Sequence, residues 1–221
     1  MKTKIAPAMI YADLWDLKGT LSAFELNGVD LLHLDVSDGS LSPFISGGTE
    51  LCEALRAHTS IPLDLHLAVR EPERLLPSLR LKKGDQVAVY AESTTHLYRV
   101  LCDIKKSGAK PFLAIGLTTP LSVLEEVLDY IDGVLVTLSE PGTQTAKMPV
   151  GAIGKLERVR TLLDQKGYAA KEVEVMGFMS FENAAKMKKA GASVFVGDTY
   201  SIFCKDQTLA GGIVRLRNAV H

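Results

Sequence analysis

The chain has 221 residues, with 25 basic and 26 acidic side chains and a formal net charge of −1. This length suffices for a substantial hydrophobic core in one or two domains. A charge near zero gives no reason to expect nucleic acid or an anionic membrane surface as a partner. The longest apolar runs are too short to span a bilayer, so no membrane partner is expected.

The start of the chain and the cysteines point to the cytoplasm. Asp13 and Asp16 interrupt the N-terminal region before an apolar signal segment can form, so we expect no signal peptide. The three cysteines, Cys52, Cys102 and Cys204, are odd in number and widely separated, with no metal-ligand or redox spacing. We therefore expect reduced cysteines and a cytoplasmic location.

Short apolar runs alternate with helical patterns along the chain. Eight runs are typical of strands: 4–9, 31–36, 63–69, 86–91, 110–115, 133–138, 172–176 and 193–196. Most are continuously apolar, as is usual for parallel strands covered on both faces. Helical patterns cover residues 17–26, 49–57, 95–107, 121–130, 153–165, 181–190 and about 207–220.

The alternation predicts the fold class. The similar turns NGVD, KGDQ, SGAK and AGAS precede several strands, which indicates a loosely repeated βα unit. Eight such units in 221 residues predict an α/β fold, a TIM (β/α)8 barrel, as a single domain over residues 1–221. A doubly wound open sheet is the alternative, and the lack of a G-x-G-x-x-G motif after the first strand disfavours it.

Polar side chains interrupt the second and third predicted strands. Side chains alternate between the two faces of a strand, so His33 and Asp35 share one face, as do Asp64 and His66. In a TIM barrel, polar residues at the carboxyl ends of the strands form the active site. His33, Asp35 and His66 are thus candidate ligands for a divalent Zn, Mn, Fe or Co ion. The alternative is a buried hydrogen-bonded pair, such as His33 with Asp64.

Several segments carry a family resemblance. IAPAMIYADLWDL, GVDLLHLDVSDG, IPLDLHLAV, EVEVMGF and GASVFVGD resemble, in order, the ribulose-phosphate 3-epimerase family and its hexulose-phosphate relatives. The resemblance implies a divalent metal held by two histidines and two aspartates. One aspartate removes a proton beside a ketose carbonyl, and the other returns a proton to the opposite face of the enediolate. By position, His33, Asp35 and His66 are metal ligands, and Asp35 is also catalytic.

The chain departs from the family pattern at the reaction site. Met176 takes the place of the second aspartate, which is the fourth ligand and second acid of the family. A thioether carries no proton at neutral pH and binds hard divalent ions poorly, so Met176 is predicted to pack. Asp198 and Glu140 are candidate replacement acids. The predicted pocket wall consists of Ala8, Ser37, Ala68, Tyr90, Thr137 and Met176.

The resemblance also predicts where a substrate phosphate binds. In the family, loops after the sixth, seventh and eighth strands offer backbone N–H groups to the phosphate. The matching positions are Gly142, Gly177, Gly197 and Thr199. Phe178 replaces the second glycine of the seventh-strand loop. Asp198 lies beside the expected phosphate, where its charge would repel a dianion.

These observations predict a divergent family member. The favoured function is a metal-dependent epimerase of a ketose phosphate, of the ribulose-5-phosphate or hexulose-6-phosphate type, with an altered active site. One alternative is an isomerase or lyase that transfers protons on one face only. The other is a non-catalytic paralogue that binds a sugar or a protein partner. A homo-oligomer is expected, because barrels of this family commonly form one.

Overall fold

The computed structural model describes residues 2–139 and 147–221, and strands and helices alternate within them. The strands are β1 (Lys4–Pro7), β2 (Leu32–Asp38), β3 (Ile45–Ser46), β4 (Leu63–Ala68), β5 (Gln86–Tyr90), β6 (Lys110–Ile115), β7 (Gly133–Thr137), β8 (Glu172–Met176) and β9 (Val194–Gly197). The α-helices are α1 (Leu17–Leu26), α2 (Thr49–His58), α3 (Leu97–Lys106), α4 (Ser122–Glu125), α5 (Ala152–Gln165), α6 (Phe181–Lys189) and α7 (Leu209–Ala219).

The strands form one curled sheet in the order β1-β9-β8-β7-β6-β5-β4-β2-β3. Neighbouring strands are parallel, except that β3 pairs antiparallel with the end of β2. A parallel bridge between Ala8 and His33 joins the β1 side to β2. The eight long strands therefore close on themselves, which confirms the predicted TIM barrel.

Three local features differ from the predicted elements. The two-residue strand β3 forms a hairpin that was not predicted, because two residues carry no periodic signal. Two 3-10 turns, Pro72–Arg74 and Leu76–Leu79, lie between β4 and β5, where no helical pattern was predicted. The predicted helix 121–130 divides into the short α4 and a 3-10 turn at Leu128–Tyr130.

The barrel interior combines small and large side chains. Ala68, Ala88 and Ala114 surround the fully buried Phe112 and Leu135. Small residues leave room near the carboxyl ends of the strands, where the polar side chains lie. No helix among the described residues is both long enough and apolar enough to cross a membrane.

A buried lysine fixes the loop after β6. Lys155 in α5 is 4% exposed. Its Nζ donates hydrogen bonds to the carbonyl oxygens of Gly116 at 2.5 Å and Leu117 at 3.0 Å, and to that of Thr119. A buried ammonium needs such partners, and the bonds hold this loop at the carboxyl end of the barrel.

Candidate active site

The register of β2 and β4 brings the predicted ligand residues together. Asp35 lies opposite His66, and His33 lies opposite Asp64. His66 Nδ1 is 2.9 Å from Asp35 Oδ1, and His33 Nε2 is 3.5 Å from the same oxygen. One ligand atom from each of His33, Asp35 and His66 lies within 4.8 Å of the other two. The three side chains therefore form one cluster at the carboxyl end of the barrel.

The donor set of this cluster fits a divalent cation. Two imidazole nitrogens and a carboxylate oxygen suit Zn, Mn, Fe and Co ions. His33 Nδ1 donates a hydrogen bond to Asp64 Oδ2 at 2.7 Å, so in the neutral imidazole, the form that binds a metal, the lone pair is on Nε2. Nε2 is buried and has no hydrogen-bond partner among the described residues. A metal-ligating histidine typically has this pattern, with its second nitrogen bonded to a carboxylate.

A buried polar layer lies beneath the cluster. Gln86 Nε2 donates to Asp64 Oδ1 and to Glu174 Oε2, both at 2.9 Å. Glu174 is fully buried, and its Oε1 lies 3.3 Å from His33 Nδ1. The buried His33–Asp64 pair that was the alternative interpretation therefore exists, and it fixes the His33 ring beside Asp35 and His66. Gln86 was missed in the sequence, although an amide that opens an apolar strand was a usable signal.

The charges of the cluster shift its pKa values. Burial disfavours the charged imidazolium, but Asp64 and Asp35 outweigh it and hold the pKa of His33 well above its usual value. Burial also disfavours the Asp35 carboxylate, yet His33 and His66 outweigh this and lower its pKa. Burial, with the nearby Asp64 carboxylate, raises the pKa of Glu174 well above its usual value. Asp35 is therefore ionised at neutral pH.

The raised pKa of Glu174 leads to a pH prediction for the metal-free protein. Between the unfolded pKa of about 4.3 and the raised folded value, the native state holds a proton that the unfolded state has released. Stability from this group therefore falls as pH rises, by up to about 1.4 kcal/mol per pH unit. We expect the free energy of unfolding of Glu174→Gln to increase relative to that of the wild type as the pH rises. Chemical denaturation in the presence of a chelator measures this difference. A constant difference from pH 5 to 8 would contradict a raised pKa.

The predicted wall residues lie at or beside the carboxyl ends of the strands. Tyr90 Oη is 3.0 Å from His66 Nε2, within hydrogen-bond distance, and so helps to fix the ring. Met176 is half-buried at the end of β8 and packs against the interior cluster. Thr137 donates a hydrogen bond to the carbonyl of Ile115 at 3.3 Å. Ala8, Ser37 and Ala68 are buried.

The predicted phosphate residues lie at the same end of the barrel. Gly177 follows β8 with φ 95°, Gly197 ends β9, and Thr199 is exposed in the next loop. Gly142 and Glu140 lie outside the described residues.

Asp198 turns its side chain inward. Its carboxylate accepts hydrogen bonds from the backbone N–H groups of Met179 at 3.0 Å and Tyr200 at 2.8 Å. The residue is 7% exposed, and burial raises its pKa. These bonds tie the loops after β8 and β9 together. Phe178, beside Met179, takes a left-handed φ of 54°, and its ring stacks on Tyr200 with centroids 6.4 Å apart.

Comparison with known proteins defines the family. The sequence model of the Ribulose-phosphate 3 epimerase family matches residues 4–202. The chain belongs to the ribulose-phosphate 3-epimerase family. This confirms the resemblance seen in the strand motifs and places the chain among enzymes of the isomerase class.

Individual relatives of this epimerase-family chain agree with that conclusion. It is 35% identical to the ribulose-phosphate 3-epimerase of Bacillus subtilis, over 87% of this chain and 89% of the relative. It is also 35% identical to the chloroplastic ribulose-5-phosphate-3-epimerase of Arabidopsis thaliana, over 91% and 72%. A tryptophan synthase α-subunit variant from Pyrococcus furiosus has a TM-score of 0.69 at 16% identity, covering 99% of this chain and 100% of that one. This last likeness concerns the fold.

Proposed function

We propose that this protein is a metal-dependent epimerase of a ketose phosphate, with an altered acid–base site. The observation that supports it is the cluster of His33, Asp35 and His66 at the barrel mouth. Sugar-phosphate epimerisation is the activity for which its relatives are named. The fitting donor set and the ionised carboxylate give a site for the cation and a base for the first proton transfer.

The residues have separate roles in this reaction. His33 Nε2, Asp35 and His66 Nδ1 would hold a divalent cation, which, when bound, supplies a Lewis acid for the ketose carbonyl. Asp35 accepts the proton from the carbon beside the carbonyl, because its low pKa keeps it ionised. Asp64 orients His33 through the 2.7 Å hydrogen bond. Tyr90 orients His66 from the other side.

The substrate phosphate would bind at the loops after β8 and β9, a frequent phosphate position in TIM barrels. The proposed contacts among the described residues are Gly177, Gly197 and Thr199. Gly142, which follows β7 in the sequence and lies outside the described residues, stays a prediction. The orientation of Asp198 is compatible with a phosphate at these loops. Its carboxylate is buried and accepts hydrogen bonds from two backbone N–H groups, so it does not face the proposed phosphate. The repulsion expected from the sequence is thereby reduced.

A second candidate function is proton transfer on one face only. Met176 favours it, since a thioether at the end of β8 supplies no proton to the second face of the substrate. A water molecule would have to return the proton for inversion to occur. An aldose–ketose isomerase returns the proton on the same face of the enediolate, so it needs no acid on the opposite face.

Product analysis separates these candidates. The protein would be incubated with divalent metal and ribulose 5-phosphate or hexulose 6-phosphates, and the products followed by NMR. The 3-epimer is the expected product. Hydrogen exchange or an aldose, without inversion, would favour one-sided chemistry. Tight binding without any exchange would indicate a non-catalytic paralogue.

Restoring the second acid is expected to speed inversion. In Met176→Asp, a carboxyl group at the family position can return a proton to the far face. General acid catalysis typically contributes about 100-fold or more, so we expect at least about a tenfold faster epimerisation. The control is Met176→Asn, which is similar in size but carries no titratable proton. Equal rates in the two variants would argue against a missing acid at this position.

We also propose a homo-oligomer. Large apolar side chains are exposed on the loop after β1 and on the hairpin of β3, which follow neighbouring strands. They are Ile10 (51% exposed), Leu14 (69%), Trp15 (99%), Phe44 (50%) and Ile45 (86%). Exposed apolar clusters commonly mark interfaces. Light scattering should give a mass above that of one chain, and Trp15→Glu should lower it; a wild-type monomer would contradict the proposal.

The cytoplasmic location stays a prediction.

A further inference from the structure

A small cavity lies beside the candidate active site. Its volume is about 100 Å³, and it is lined by the apolar Leu41 and by Tyr90, Glu92, Gly116, Thr118, Thr119 and Thr137. This is room for a few water molecules or a small ligand group. Tyr90 connects the cavity to the cluster, since its hydroxyl group lies 3.0 Å from His66 Nε2.

The polar groups of the cavity are suited to a hydroxyl group. Glu92 brings a carboxylate, which only accepts hydrogen bonds when ionised. Thr119 Oγ1 accepts the N–H of Gly116 at 3.2 Å, so that bond does not use its hydroxyl proton. Thr137 donates its proton to Ile115 and keeps oxygen lone pairs as acceptors. A ligand hydroxyl group both donates and accepts, whereas a phosphate dianion would be repelled by Glu92.

One wall of the cavity is held rigidly from the protein interior. Lys155 Nζ donates to the carbonyl oxygens of Leu117 and Thr119, the two residues that flank Thr118 in this loop, and to that of Gly116. The 3.2 Å bond between Gly116 N–H and Thr119 Oγ1 closes the loop on itself. A binding group whose position is fixed in advance loses little entropy when the ligand binds.

The place of the cavity in the barrel indicates which part of a ketose it would bind. Its residues lie at the ends of β5 and β7 and in the loops after β2, β5 and β6. The described phosphate contacts, Gly177, Gly197 and Thr199, lie instead at the end of β9 and in the loops after β8 and β9. A ketose phosphate carries a hydroxymethyl group on the side of the carbonyl away from the phosphate. If the carbonyl is at the cluster and the phosphate is at the loops after β8 and β9, the hydroxymethyl group occupies a third position. That position is on the side of the cluster away from the phosphate.

We infer that this cavity binds the terminal hydroxymethyl group of the ketose, with Glu92 as the acceptor for its hydroxyl proton. This inference rests on the proposed function and identifies Glu92 as a residue that determines specificity. Glu92 was not predicted as a site residue, because one acid after a strand is a common feature.

The test pairs a change in the protein with a change in the ligand. Glu92→Gln is compared with the wild type on a ketose phosphate and on its 1-deoxy analogue, using hydrogen exchange in D₂O. We expect kcat/KM for the hydroxylated substrate to fall about tenfold, mainly through KM, since a bond to a charged group is lost. The 1-deoxy analogue should react equally with both proteins. Glu157→Gln, an exposed position in α5, should leave both substrates unchanged.

Two results would overturn the inference. One is an equal loss on both substrates, which would indicate a general structural effect of Glu92. The other is a kcat/KM of Glu92→Gln that equals the wild-type value on both substrates.

If the wild type exchanges no ketose phosphate, the proposed function fails, and the cavity is tested separately by titration with ribitol. Saturable changes in the NMR chemical shifts of the Thr118 and Thr119 amides, with a weaker affinity for ribitol in Glu92→Gln, would support the cavity as a polyol site. Ribitol shifts that do not saturate would overturn it.

Discussion

Replacing Asp35 with Asn is expected to lower the rate of hydrogen exchange beside the ketose carbonyl by about a thousandfold. A carboxamide cannot accept the proton that the carboxylate accepts. Asp35 also lies next to both histidines of the cluster, because its Oδ1 is 2.9 Å from His66 Nδ1 and 3.5 Å from His33 Nε2. Loss of its charge thus removes the base and weakens metal binding together.

The matched control lies at the end of the same strand. The Asp38 carboxylate accepts the backbone N–H groups of Ser40 at 2.9 Å and Arg70 at 3.1 Å. Asp38→Asn alters an exposed acid of this loop without touching the cluster, so its exchange rate should stay within a few-fold of the wild type. Both rates would be measured by proton NMR in D₂O at saturating metal. Wild-type exchange in Asp35→Asn would remove this residue from the chemistry.

Replacing His66 with Ala is expected to abolish stoichiometric metal binding. The cluster has three donor residues, and Met176 is a poor fourth ligand for a hard divalent ion. The loss of one imidazole therefore leaves only two donor residues in the cluster. Loss of an outer-shell partner alone typically weakens metal affinity by about 10–100-fold, and loss of a ligand should cost at least as much. Elemental analysis after dialysis against a low metal concentration measures this directly.

A surface histidine provides the control for that variant. His96 is exposed at the start of α3, away from the cluster. His96→Ala should retain the wild-type metal content. One equivalent of metal in His66→Ala would contradict the proposed ligand set, provided that the variant is folded by circular dichroism.

The sequence predicted those parts of the site that depend on local patterns. The apolar strands and their alternation with helices gave the barrel, and the two-residue spacing placed His33 and Asp35 on one face. The register between β2 and β4 was not available from either strand alone. A shift of one residue would have turned one set of side chains to the other face, whereas the observed pairing sets Asp35 opposite His66.

Contacts between distant segments could not be predicted. Gln86 and Glu174 are 88 residues apart, and their hydrogen bond exists only because the barrel closes. Asp198 was expected to face the phosphate, but two backbone N–H groups bind its carboxylate inside the loops. The direction of a loop side chain depends on such neighbours, and the residue type alone does not determine it.

The central claim is that His33, Asp35 and His66 still support metal-dependent proton transfer although Met176 replaces an acid. It is tested most directly by proton NMR of the wild-type protein with ketose phosphates in D₂O, with and without divalent metal. Deuterium should appear at the carbon beside the carbonyl when metal is present, and chelator should stop it. No deuterium in any pentulose or hexulose phosphate, with metal bound to the protein, would contradict the claim.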